Sequence, residues 1–105
     1  MKILLDESTP GKLRAHLRRH DVFTAKYMGW AGLLNGSLLA AAEAEGFELL
    51  ITSDKNLAYQ QNMSERRIGL LVLTTNNWDT LLTQIERVQF IVDGMSPGDF
   101  LELEE

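Results

Sequence analysis

The chain contains no cysteine, only two prolines in 105 residues, and 10 basic side chains against 15 acidic ones. Without cysteine there are no disulfides and no thiolate metal ligands, so ordinary packing must hold the fold. The shortage of cations, a net charge of −5, argues against the broad basic face with which proteins usually grip nucleic acid. It does not exclude chemistry on phosphates, because carboxylates that hold a divalent cation make a site electropositive once the metal is bound. The N-terminal Met1-Lys2-Ile3-Leu4-Leu5-Asp6 turns acidic too soon for a signal sequence or a membrane span. A cytoplasmic protein with no membrane segment is therefore expected. No repeat, low-complexity tract or linker interrupts the spread of the 45% hydrophobic residues, so residues 1–105 read as one domain.

What is present is a series of short apolar runs, each ending in polar residues. Lys2-Ile3-Leu4-Leu5 stops at Asp6-Glu7, and Thr9-Pro10 then reads as an N-cap and first residue of a helix carrying Leu13 and Leu17 on one face. Asp21 to Ala25 predicts a second strand. After the loop Met28-Gly29-Trp30-Ala31-Gly32, Asn35 or Ser37 caps a helix that Gly46 stops. Phe47 to Thr52 is a third strand, and a short helical piece spans Leu57 to Gln61. Ile68 to Leu73 is a fourth strand, with the continuous apolar pattern of one buried on both faces. Trp78, Leu81, Leu82, Ile85, Val88 and Ile91 share a helical period and predict one amphipathic helix. Asp99 to Glu104 alternates like an exposed edge strand. The alternation of strand and helix predicts an α/β fold, a mostly parallel central sheet of four to five strands with helices on both faces.

In such sheets ligands bind beyond the C-terminal strand ends. The residues there are Asp6 and Glu7 after the first strand, Asp54 after the third, and Asn76 and Asn77 after the fourth. Neighbouring parallel strands lie about 4.8 Å apart, so carboxylates at adjacent ends can share one cation. Oxygen ligands of this kind suit Mg²⁺ or Mn²⁺. The plainer alternative is that Asp54 and Asn77 only cap the helices that follow.

Met1-Lys2-Ile3-Leu4-Leu5-Asp6-Glu7 with Pro10 and Leu13, the Met28 to Gly32 loop, Asn35-Gly36-x-Leu38-Leu39 with Ala42 and Phe47, and Thr52-x-Asp54-Lys55-Asn56-Leu57 with Gln60-Gln61-Asn62 together resemble the small PIN-like proteins of the DUF5615 group. That group is related to the C-terminal nuclease-like domain of Mut7. The resemblance covers nearly the whole chain. It implies a PIN-like three-layer sandwich, a metal-dependent ribonuclease (a hydrolase) like the toxins of toxin–antitoxin pairs, RNA as substrate, and a small antitoxin as partner. Asp6 and Asp54 match the family's acidic positions and would bind the metal, with Glu7 and Asn76 assisting. Where the related pattern reads Asn-Gly-Glu-Leu-Leu, this chain has Ser37, which removes one oxygen donor; Glu43, further along the same helix, is a substitute ligand or a solvated helix residue.

Lys55, Asn35, Ser37 and Trp30 are the candidates for substrate contact, Trp30 having core packing as its alternative. Lys12, Arg14, Arg18 and Arg19, with Arg66 and Arg67, are either RNA-backbone contacts or solvated charges. His16 and His20 have a zinc-compatible spacing without an evident third partner, so they read as surface residues. Tyr59, Gln60, Gln61 and Asn62 form a polar run near the same edge. Phe100, Leu101 and Leu103 make an edge that either pairs into a homodimer or is capped on a monomer. Two further function classes stand beside the nuclease: a catalytically silent PIN-like binding protein, and a receiver-like phosphoacceptor using Asp54 and Thr74. The receiver layout lacks its lysine in the fifth segment.

Overall fold

The structure, a computed structural model, describes residues 1–57 and 61–103. The expectations placed on Tyr59, Gln60 and Glu104 lie outside those residues. Five parallel strands form one sheet in the order β2-β1-β3-β4-β5, comprising β1 (Lys2–Leu5), β2 (Asp21–Thr24), β3 (Leu49–Thr52), β4 (Gly69–Val72) and β5 (Phe100–Glu102). The three inner strands read Leu, Ile and Val almost throughout because both faces are covered. Pleating then divides each strand between two cores. Ile3, Leu5, Leu49, Ile51, Leu71 and Leu73 face one way, and Leu4, Leu50, Leu70 and Val72 face the other.

The first core is closed by a 3-10 helix, η1 (Gly11–His16), and by α2 (Trp78–Thr83) and α3 (Ile85–Gly94), through Leu13, Leu17, Leu81, Val88 and Val92. The second is closed by α1 (Asn35–Ala44), through Leu38, Leu39 and Ala42, with Phe47, Leu57 and Ile68. The expected three layers are therefore present. Cα atoms have a radius of gyration of 12.3 Å, close to the ~13 Å expected for this length.

The crossovers are not all alike. From β1 to β2 the chain passes over the η1 face. From β2 to β3 and from β3 to β4 it moves in the opposite direction over the α1 face, which gives the same hand. From β4 to β5 it continues in that second direction but passes over the η1 face, so this crossover has the hand opposite to the other three. The physical reason lies in coverage. Six residues of 3-10 helix span only about 12 Å, too little to shield β1 and β3, and the long segment 73–99 supplies α2 and α3 to complete that layer.

Local corrections follow from where side chains are used. Thr9 does not cap η1, since its hydroxyl faces Asp6 and the Ile51 carbonyl, and Pro10 occupies the cap position without a side-chain bond. Asn35 and Ser37 sit inside the first turn of α1, whose N-cap is Leu34 with no side-chain cap. The helix expected from Trp78 to Ile91 is two helices broken at Gln84, whose Oε1 accepts a 2.9 Å bond from Thr74 Oγ1. Gly46, with φ of +82°, ends α1 as expected: its N–H donates to Glu43 O and the Phe47 N–H donates to Ala42 O. Gly69 opens β4 because β5 approaches there. A Cβ would lie 2.7 Å from the Asp99 carbonyl oxygen.

Candidate functional site

A parallel sheet places its ligand crevice where successive connections diverge. Here that point is the gap between β1 and β3, since the chain leaves β1 toward β2 and enters β3 on the other side. Asp6 sits there, on the residue after β1, with 8% of its surface exposed.

A buried carboxylate must find donors, and Asp6 finds three hydroxyls. Ser8 Oγ donates to Oδ1 at 2.8 Å, Thr9 Oγ1 to the same atom at 2.9 Å, and Thr52 Oγ1 to Oδ2 at 2.5 Å. Thr52, fully buried at the end of β3, also accepts the Asp54 N–H at 3.0 Å. Ser8 Oγ accepts the Ser53 N–H at 3.0 Å, and Ser53 Oγ donates to the Thr75 carbonyl at 3.2 Å. The ends of β1, β3 and β4 are thus laced together by short hydroxyl side chains. These hydroxyls are the functional residues that pattern reading missed. Two signals were available: Ser8 and Thr9 stand two and three residues after Asp6, the spacing of local side-chain turns, and Thr52 is a polar residue closing an otherwise apolar buried strand.

The other predicted residues divide. Asp54 is partly buried at the same edge, and its Oδ1 accepts the Asn56 N–H at 2.9 Å, forming the expected turn. Asn77 caps α2 by accepting the Thr80 N–H at 3.0 Å. Asn76 and Lys55 are exposed at this edge. Glu7 lines the cavity beside Asp6, and its Oε1 accepts the Gly32 N–H, tying down the loop before α1. Trp30 packs edge-on against Phe47, with ring centres 5.9 Å apart, so the core alternative describes it. Ser37 is exposed and Asn35 partly buried at the start of α1.

Glu43 lies at the far end of α1 and is not at the site. Its Oε1 accepts from Arg66 Nη1 at 2.8 Å and its Oε2 from the Arg67 N–H at 2.8 Å. Burial raises its pKa, but the Arg66 hydrogen bond and charge, with the Arg67 and Ile68 N–H groups, outweigh this and hold it below the ordinary 4.5. It can serve neither as a substitute ligand nor as a merely solvated residue. His20 is likewise not a free surface histidine, because Nε2 lies 2.8 Å from Asp93 Oδ1 and Nδ1 lies 3.0 Å from the Met1 nitrogen.

A cavity of about 310 Å³ opens beside Asp6, lined also by Glu7, Thr9, Gly11, Thr24, Lys26 and Ala31. Among the described residues, no three His, Cys, Asp or Glu side chains converge on a metal position. None of the helices described is long and apolar enough to cross a membrane. No family model, curated protein or solved structure matches the chain.

Proposed function

We propose that the chain is a PIN-like, divalent-cation-dependent endoribonuclease, a cytoplasmic protein that acts on RNA as the toxin of a toxin–antitoxin pair. The observation that carries this reading is Asp6, a buried carboxylate at the switch point of a parallel sheet, linked through Thr52 to the strand end bearing Asp54. Mg²⁺ keeps most of its water and is commonly held by one or two carboxylates. Asp6, buried, and Asp54, partly buried at the same sheet edge, would hold an ion in that way. Oδ1 of Asp6 accepts two hydroxyls and Oδ2 one, so the carboxylate keeps acceptor capacity beyond these bonds. When held by these carboxylates, Mg²⁺ or Mn²⁺ would supply Lewis acidity for phosphodiester hydrolysis. Ser8, Thr9 and Thr52 fix the Asp6 carboxylate in one orientation, and exposed Lys55 is placed to meet a substrate phosphate. Glu7 contributes by pinning the loop that walls the cavity.

A second reading, a PIN-like shell that binds partners without catalysis, is favoured by the same geometry, because three neutral hydroxyls satisfy Asp6 without a cation. Ser37, exposed where relatives of the resembled group carry an acid, points the same way. The receiver-like reading matches the sheet order 2-1-3-4-5, but the Thr74 hydroxyl is engaged by Gln84 and β5 carries no lysine.

Cleavage of single-stranded RNA in Mn²⁺ decides between the first two. Wild-type protein should cleave and Asp6→Asn should lose at least about 100-fold of the rate, a typical loss for removing a group that stabilises transition-state charge. A Mn²⁺ titration followed by thermal unfolding gives a second readout. Saturation near 100 times Kd would add about 2.7 kcal/mol, whereas no shift together with no cleavage would establish the silent shell.

A further inference from the structure

The net charge of −5 conceals a segregation. Between Glu7 and Asp21 there is no acid, and the segment carries Lys12, Arg14, Arg18 and Arg19, a charge of +4 against −9 for the rest of the chain. All four are exposed on η1 or just after it. The surface they occupy is concave. The cavity beside Asp6 shares Gly11 with a second hollow of about 450 Å³ lined by Lys12, Arg14, Ala15 and Arg18. That hollow in turn shares Ala15 and Arg18 with a third, of about 370 Å³, that Arg19 and Gln89 also line. Three hollows, each sharing lining residues with the next, thus follow one another from Asp6 along η1 toward α3 and outline a channel whose cations begin at Lys26 beside Asp6.

We infer that this channel is a phosphate-tracking path that holds several nucleotides of a single-stranded nucleic acid on one side of the Asp6 site. The inference rests on the nuclease reading for the chemistry at Asp6, but the binding does not require it. A flexible single strand suits this path better than a rigid duplex, because the path turns from the sheet edge beside Asp6 onto the η1 face. Arg14 is in part a structural residue, its Nε donating to the Val22 carbonyl at 2.8 Å. Arg19 pairs with Asp93 at 3.5 Å, but its side chain is 83% exposed, and such a pair is weak enough to be exchanged for a phosphate. Lys12, Arg18 and Arg19 are therefore the cations on which binding should depend.

The test uses full-length Asp6→Asn protein, which removes cleavage, and a fluorescent single-stranded oligouridylate of about twelve nucleotides followed by anisotropy at several salt concentrations. Three phosphate contacts predict a slope of log K against log salt near −2. Adding Lys12→Ser, Arg18→Ser and Arg19→Ser together should weaken binding at least tenfold at low salt and flatten the slope toward zero, with the circular dichroism spectrum and Tm retained. Arg67→Ser, at the opposite sheet edge, should leave binding within twofold. Unchanged binding by the triple variant overturns the path, as does competition by an acidic peptide as effective as unlabelled oligonucleotide. Binding through these residues by a protein whose wild type does not cleave in Mn²⁺ would uphold the path and overturn the nuclease reading.

Discussion

The most buried acid at the C-terminal edge of the sheet, Asp6, is held differently from the paired acids at the N-terminal edge. At the N-terminal edge three acids meet a cation or a backbone donor: Glu43 pairs with Arg66 and the Arg67 N–H, Asp93 with His20 and Arg19, and Glu48 accepts the Lys2 N–H at 3.0 Å. Lys2 itself lies 4.5 Å from the Phe47 ring centre and donates to the Glu45 carbonyl at 2.7 Å. At the C-terminal edge Asp6 is more deeply buried than these acids, yet its partners are neutral hydroxyls. Compensated charge holds an edge together, while a carboxylate oriented by hydroxyls keeps its charge available to something that arrives. The difference separates Asp6, clasped by neutral groups, from acids whose charge is already compensated.

That comparison can be broken by substitution. The largest effect should come from Asp6→Leu, which takes the carboxylate acceptor from the Ser8 and Thr52 hydroxyls and leaves Thr9 only the Ile51 carbonyl; at about 1–3 kcal/mol for each group that loses its acceptor, urea unfolding should show a loss of about 3–5 kcal/mol. Asp6→Asn keeps an acceptor and should cost under half of that while still removing activity, and equal costs would mean the charge at this edge is structural after all. Gly69→Ala should follow at about 2–3 kcal/mol, since its Cβ would press on the Asp99 carbonyl and displace β5. Exposure of the Leu103 side to hydrogen exchange would report that displacement.

Glu43→Gln should cost about 1–3 kcal/mol and change the pH profile of stability. The folded-state pKa of Glu43 lies below its unfolded value, so its contribution is complete above the unfolded value and is lost as pH falls through the lowered folded value. The variant should therefore flatten the acid limb of stability below about pH 4.5, measured by Tm against pH. Smallest should be Arg19→Ala, within about 0.5 kcal/mol, because its ion pair is solvent-screened.

Strand positions were legible in the sequence because four-residue runs such as Lys2–Leu5 and Gly69–Val72 are almost wholly apolar, and a strand buried on both faces has no other composition. Helix boundaries were less so. Thr9, Asn35 and Ser37 have the chemistry of caps, but a cap forms only if the hydroxyl or amide has nothing better to bond. Thr9 had Asp6 and Ile51. Of the site, Asp6 and Asp54 can be located from their strand ends alone, whereas the partners of Glu7, Trp30 and Glu43 cannot be read locally, because each lies 17 or more residues away in sequence.

By itself the sequence determined the α/β class, the strands and the edge to which Asp6 and Asp54 belong, since these follow from periodicity and from the rule that turns follow strands. Tertiary structure alone decided the sheet order, the reversed fourth crossover, the hydroxyl clasp on Asp6 and the channel along η1. Each of those depends on which side chains meet across long sequence separations, and burial imposes that choice through hydrogen bonds that cannot be left unmade.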